Sequence, residues 1–227
     1  MSDGFFSIYA AICIAAPLIL MCFIQQDKHS RFLVLYLIAG LIAGVLSGFG
    51  NSILALLTNA TSMQTVLYIA PVVEEIMKAI PILILFLAAK PTFQEVIGIG
   101  VAVGVGFATL ENIIYLHTAA SLNLGFILVR GFSTGIMHAM TVALLVAALS
   151  FITRSKVTLL LGALGALSVS VSLHGVFNLF VNGKEFWPYL GYALPMCVAL
   201  FFLGMIFVKK RKAKKTVVPE ESPVQQE

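Results

Sequence analysis

Long apolar stretches, separated by short polar segments, run along the whole chain. A helix needs about 20 apolar residues to cross the hydrocarbon core of a membrane, and about seven stretches reach that length. The predicted spans are residues 5–24, 32–56, 66–88, 95–116, 124–151, 157–181 and 188–208. The short connections leave no room for a separate soluble domain. The pattern predicts an all-α fold, a polytopic transmembrane helical bundle formed by residues 1–208.

The composition agrees with this pattern. The chain is 60% hydrophobic and 11% charged, and its mean hydropathy is +1.03. Soluble domains are about half apolar and about one quarter charged. We therefore expect a multi-pass protein of the cell membrane. Its expected partner is the lipid bilayer, and we expect no binding to nucleic acid.

The cations predict the orientation of the bundle, because Lys and Arg in short loops favour the cytoplasm. Eleven of the 14 Lys and Arg residues follow the first, third, fifth and seventh spans. These are Lys28, Arg31, Lys90, Arg154, Lys156, Lys209, Lys210, Arg211, Lys212, Lys214 and Lys215. We expect the N-terminus outside and the C-terminus inside, with residues 209–227 as a polybasic, disordered cytoplasmic tail.

Ionisable residues interrupt the predicted spans. Glu74, Glu75 and Lys78 lie inside the third span, where burying a charge costs at least a few kcal/mol, so such residues face the bundle interior. Lys78 is i+4 from Glu74 and i+3 from Glu75, so it can neutralise one carboxylate and leave the other free. Three further spans contribute Glu111, Asn112, Arg130, His138, His174 and Asn178.

These polar residues can reach one site. His174 and Asn178 are four residues apart and share a helix face. From the outer ends of their helices, Glu111 lies about 8 Å and His174 about 10 Å deep. Glu75 lies about 14 Å and His138 about 20 Å deep on the same scale. The spacing predicts a polar site in the outer half of the membrane.

Two hydrolytic chemistries suit such a set. In the first, Glu111, His138 and His174 bind Zn²⁺ and another Glu is the general base. In the second, a Glu deprotonates water directly, while His and Asn side chains stabilise the oxyanion without a metal. The HExxH zinc motif does not occur in the sequence. A proton- or cation-coupled transporter is a third interpretation, and a non-catalytic scaffold a fourth.

Four sequence segments resemble the PrsW family of intramembrane proteases. They are PVVEEIMK at 71–78, GFATLENIIYL at 106–116, Arg130 followed by MHAM around His138, and SLHGVFN at 172–178. The resemblance implies an intramembrane endopeptidase that makes a site-1 cleavage in a membrane-tethered substrate near its extracytoplasmic side. The implied substrate is a single-span membrane protein such as an anti-sigma factor.

A more distant resemblance, to the CAAX-processing protease superfamily, implies roles for individual residues. It makes Glu74 or Glu75 the activator of water, with His138, His174 and Asn178 around it. The predicted catalytic residues are Glu74, Glu75, Glu111, His138, His174 and Asn178.

The chain departs from these families at two positions. Glu111 stands where the CAAX-processing enzymes carry His, and Asn178 stands where some PrsW members carry Asp. Three residues are predicted to support the site. Lys78 holds a Glu, Asn112 bridges helices, and Arg130 pairs with Glu111 or lies near the outer interface.

Overall fold

The computed structural model describes residues 3–89, 92–118, 123–152 and 156–216, and these residues are almost all helical. Pairs of consecutive long helices are joined by short connections. The elements are α1 (Asp3–Ile24), α2 (Lys28–Thr58), α3 (Ser62–Gln64), a π-helical segment (Thr65–Ile69), α4 (Ala70–Ala88), α5 (Phe93–Thr118), α6 (Leu124–Ile152), α7 (Lys156–Val181) and α8 (Trp187–Thr216).

The structure confirms the predicted transmembrane bundle. In the described part of the chain, α1, α2, α5, α6, α7 and α8 are each long and apolar enough to span a membrane. The remaining predicted span, 66–88, corresponds to the π-helical segment and α4, which carries Glu74, Glu75 and Lys78. The N-outside orientation stays a prediction.

The predicted tail is only partly described. Residues 209–216 continue α8 to Thr216, so they are helical rather than disordered. Residues 217–227 lie outside the described residues, as do Lys90 and Arg154, two of the cations that predict the orientation.

Proline explains why the helix changes its pitch before α4. Pro71 has no backbone N–H, and its ring would clash with the carbonyl four residues earlier in a regular α-helix. The chain forms a wider turn instead, in which the Ala70 N–H donates to the Thr65 carbonyl. The next acceptor in this pattern is the Val66 carbonyl, whose donor would be residue 71. Pro71 therefore leaves the Val66 carbonyl available to another group.

Two glycines allow α5 to pack closely against α2 and α6. A Cβ atom at Gly104 would collide with the His138 carbonyl on α6, and one at Gly106 would collide with the Leu37 carbonyl on α2. Small residues permit such close approach of membrane helices. As a result α6 presents His138 directly to α5.

The apolar core lies on α4, α5, α6 and α7, next to the polar residues. Its buried members are Ala79, Ile82, Val96, Ile99, Val103, Val142, Leu145, Val146, Leu149, Leu159, Ala163 and Ala166. They follow Lys78 along α4 and His138 along α6, and they precede Glu111 on α5 and His174 on α7. The polar residues therefore occupy one end of the core.

Candidate active site

Lys78 is the buried cation at the centre of the polar cluster. Its side chain is fully buried, and its Nζ donates to Oε1 of Glu75 at 2.6 Å. The same Nζ lies 2.7 Å from Nδ1 of His138. The ion pair is formed with Glu75, so the prediction that Lys78 neutralises one carboxylate and leaves the other free is confirmed.

His138 connects this cation to α5. Because the Lys78 ammonium donates to Nδ1, the ring proton lies on Nε2 and is donated to Oε2 of Glu111 at 2.5 Å. The ring of Phe107 packs against the imidazole, with the ring centroids 4.8 Å apart. The close approach at Gly104 makes this contact between α5 and α6 possible.

Arg130 holds the more exposed end of the cluster. Its guanidinium donates to Oε1 of Glu111 at 3.3 Å and to Oδ1 of Asn112, and it stacks over the ring of Tyr115. The Asn112 amide donates to the Gly131 carbonyl at 3.4 Å, so it bridges α5 and α6 as predicted. The predicted Arg130–Glu111 pair is also confirmed. The side chain of Glu111 is 35% exposed, which makes this end the more open one.

His174 brings α7 to both adjacent carboxylates of α4. Its Nδ1 lies 2.9 Å from Oε1 of Glu75, and its Nε2 lies 3.7 Å from Oε2 of Glu74. The imidazole also meets His138 edge to face, with ring centroids 5.0 Å apart. Hydrogen bonding to Glu75 fixes the ring so that Nε2 faces Glu74.

Glu74 differs from Glu75 in what binds it. Its Oε1 accepts a hydrogen bond from Nδ2 of Asn51 at 3.2 Å. Its Oε2 is buried and has no hydrogen-bond partner in the described part of the chain. Glu74 therefore has a buried oxygen without a partner among the described residues and no bond to Lys78, whereas Oε1 of Glu75 binds both Lys78 and His174. Asn51, on α2, was not among the predicted site residues.

The structure brings together Glu74, His138 and His174 as a group that could hold a metal ion. One ligand atom from each lies within 4.8 Å of the others. The predicted metal set contained Glu111 where this group contains Glu74, and Glu111 instead contacts His138.

The donor set fits a zinc ion. Two imidazoles and one carboxylate are a typical catalytic zinc set. His174 donates its other N–H to a carboxylate, Glu75, as histidine ligands of metals usually do. To bind the ion, His138 would have to lose its hydrogen bond to Glu111. Glu74, whose Oε2 is buried without a hydrogen-bond partner in the described structure, would supply the oxygen ligand.

Asn178 lies one turn from His174 but its amide has another partner. Its Nδ2 donates to the Val66 carbonyl at 2.9 Å, the group that Pro71 leaves without its helical donor. Asn178 thus ties α7 to the π-helical segment that leads into α4. The other predicted residues form one connected cluster, whereas the amide of Asn178 binds at its edge.

Comparison with known proteins places the chain in a family. The family profile described as "PrsW family intramembrane metalloprotease" matches residues 28–207, well over half of the chain. No curated protein and no solved structure matches the chain. The match covers α2 to α7 and most of α8, including every residue of the cluster, and it supports proteolysis over the transporter interpretation. The chain belongs to the PrsW family of intramembrane metalloproteases.

Proposed function

We propose that this protein is an endopeptidase of the cell membrane that hydrolyses a peptide bond in a single-span membrane protein near its extracytoplasmic side, as a site-1 protease of an anti-sigma factor does. The family match supports the reaction class. The observation that carries the proposal is the free, buried Oε2 of Glu74 facing Nε2 of His174.

Glu74 is the carboxylate suited to act on water. A water molecule beside its free Oε2 could donate a proton there while its oxygen attacks the scissile carbonyl. The proton then passes to the leaving amide nitrogen, so that the products are a new carboxylate and a new amine. The Nε2 of His174 lies 3.7 Å from the same oxygen. Because the Nδ1–H of this ring is donated to Glu75, Nε2 can donate to the developing oxyanion when the ring is the doubly protonated imidazolium.

Glu75 and Lys78 prepare the site without acting on water. Both side chains are buried, and each compensates the charge of the other. An unpaired charge at this depth would be strongly unfavourable. Glu75 also holds the imidazole of His174, and Lys78 holds that of His138. These contacts fix both rings before a substrate arrives.

A zinc ion would be held by Glu74, His138 and His174, the three residues whose ligand atoms converge. When bound, zinc lowers the pKa of a coordinated water and polarises a carbonyl. Glu74 is required under either chemistry, as ligand or as base.

The substrate would enter at the end where Glu111 lies. Its side chain is 35% exposed, compared with 2% for Glu75. Arg130 holds Glu111 from the side and stacks on Tyr115, so both charged groups stay fixed at the opening.

The proposal is tested by reconstituting the protein in proteoliposomes with a single-span substrate and mapping the cleaved bond by mass spectrometry. We expect cleavage within a few residues of the extracytoplasmic end of the substrate span. Glu74→Gln should be inactive, whereas Glu95→Gln, which changes an exposed carboxylate bonded to Thr92, should keep full activity. No cleavage of any single-span substrate by the folded protein, together with solute uptake driven by an ion gradient, would contradict it.

A further inference from the structure

Asn51 is a polar residue of α2 that reaches another helix. The neighbouring Gly50 allows this, because a Cβ atom there would lie 2.9 Å from Cγ1 of Val73. Val73 directly precedes Glu74 on α4, so the close packing brings Asn51 to the catalytic carboxylate. The Asn51 amide donates to Oε1 of Glu74 at 3.2 Å, across 23 residues of sequence.

The other polar side chains nearby on α2 bind their own helix. The hydroxyl of Ser47, one turn before Asn51, is buried and donates to the Ala43 carbonyl at 2.8 Å. The hydroxyl of Ser52 donates to the Gly48 carbonyl at 2.9 Å. Serine hydroxyls in membrane helices commonly bond the preceding turn in this way. The contact of Asn51 therefore depends on the partner helix rather than on the local backbone.

The contact leaves one acceptor on each partner. Oδ1 of Asn51 and Oε2 of Glu74 are both buried, and neither has a hydrogen-bond partner among the described residues. Buried acceptors in folded proteins are almost always satisfied by a donor. Two such acceptors on side chains that touch each other can be satisfied together by one small group that donates hydrogen bonds. A water molecule is the simplest such group, since it carries two donors.

We propose that Asn51 is a positioning residue of the active site. Its amide fixes the Glu74 carboxylate, and its carbonyl helps to hold a water molecule at the free oxygen of that carboxylate. The inference rests on the proposed function and deepens it, because this water is the one that Glu74 would activate. It adds α2 to the four helices that the sequence predicted for the site.

The test measures cleavage and folding of Asn51→Leu, which keeps the side-chain shape without polar atoms, and of Asn51→Ala. Residues that orient a catalytic group typically contribute about 10- to 100-fold to activity. We expect kcat to fall by that factor while KM changes less than about twofold. The control is Ser47→Ala, which removes a buried hydroxyl from the same helix and should retain wild-type kcat.

A second readout is independent of activity. Because Asn51 acts through Glu74, Asn51→Ala should lower the midpoint of thermal unfolding in the wild-type background and lower it less in a Glu74→Ala background. Equal shifts in the two backgrounds would overturn the inference. This cycle remains available if Asn51→Leu does not fold.

The outcomes separate the two proposals. If the wild type cleaves, Glu74→Gln does not, and both Asn51 variants cleave at the wild-type rate, the inference about Asn51 is wrong and the proposed function stands. If Glu74→Gln cleaves at the wild-type rate, the proposed function is wrong and the role of Asn51 falls with it.

Discussion

Oε2 of Glu74 lies 3.7 Å from Nε2 of His174, between α4 and α7. The adjacent carboxylate of Glu75 is occupied by Lys78 and by the other nitrogen of the same imidazole. The two neighbouring glutamates therefore have different environments: Glu75 is neutralised by Lys78, whereas Glu74 accepts its hydrogen bond from the uncharged amide of Asn51. When two nearby carboxylates have different environments, one commonly has a structural role and the other a chemical role in the site.

The first prediction concerns stability. Glu75→Gln leaves the fully buried ammonium of Lys78 without its carboxylate, which should reduce the free energy of unfolding by about 3–5 kcal/mol. Glu74→Gln removes a carboxylate whose hydrogen bond comes from the uncharged amide of Asn51. The free energy of unfolding should therefore change much less than in Glu75→Gln. Denaturant unfolding in detergent micelles measures both. Equal losses in the two variants would show that the structure assigns the ion pair to the wrong residue.

The second prediction separates stability from activity. The double variant Glu75→Gln/Lys78→Met removes both charges of the buried pair. Replacement of a buried ion pair by uncharged groups is often neutral, so the double variant should recover most of the stability that Glu75→Gln loses. Cleavage should not recover, since neither His174 nor His138 keeps its charged partner. Recovery of cleavage together with stability would exclude an orienting role for the pair.

The third prediction concerns Asn178 and Pro71. Asn178→Ala leaves the Val66 carbonyl without a donor, which should cost about 1 kcal/mol of unfolding free energy. Pro71→Ala supplies a new backbone N–H near that carbonyl. Asn178→Ala should therefore cost less in the Pro71→Ala background, as a double-mutant cycle of unfolding measures. An unchanged cost, with a complete loss of cleavage in Asn178→Ala, would favour a direct role of Asn178 in catalysis.

The fourth prediction concerns the metal. If the converging residues hold zinc, the purified protein should bind about one ion per chain. Glu74→Ala and His174→Ala should each lower zinc binding by at least about tenfold, whereas Glu95→Gln should not change it. Equilibrium dialysis with elemental analysis measures the stoichiometry. Wild-type binding by both variants would show that the ion lies elsewhere.

Hydropathy was sufficient to predict the bundle, because a membrane helix needs a long apolar run whatever its neighbours are. Charge within such a run was also sufficient to predict the polar cluster, because charged side chains such as Glu74, Glu75 and Lys78 are stable inside a membrane bundle only where they can pair with one another. The choice between the two carboxylates was not predictable. Spacings of three and four residues both allow contact with Lys78, and the rotation of α4 against α7 decides between them.

Two features depend on contacts between distant residues. Asn51 is a single amide in an apolar helix, and nothing in the spacing along α2 relates it to Glu74, 23 residues away. The only sequence signal is an Asn inside a predicted span. The hydrogen-bond partner of Asn178 could not be predicted from sequence spacing either. The one indication is Pro71 inside an apolar run, which implies that a nearby carbonyl lacks its helical donor.

The role of Glu74 is tested most directly by a single-turnover cleavage assay in oxygen-18 water, with purified wild-type protein and Glu74→Gln on the same single-span substrate. If Glu74 activates the water, the wild type should yield a new carboxyl terminus carrying one heavy oxygen atom, and folded Glu74→Gln should slow this step by at least about 100-fold. Product formed by Glu74→Gln at the wild-type rate would contradict the assignment of Glu74 and His174 as the hydrolytic centre.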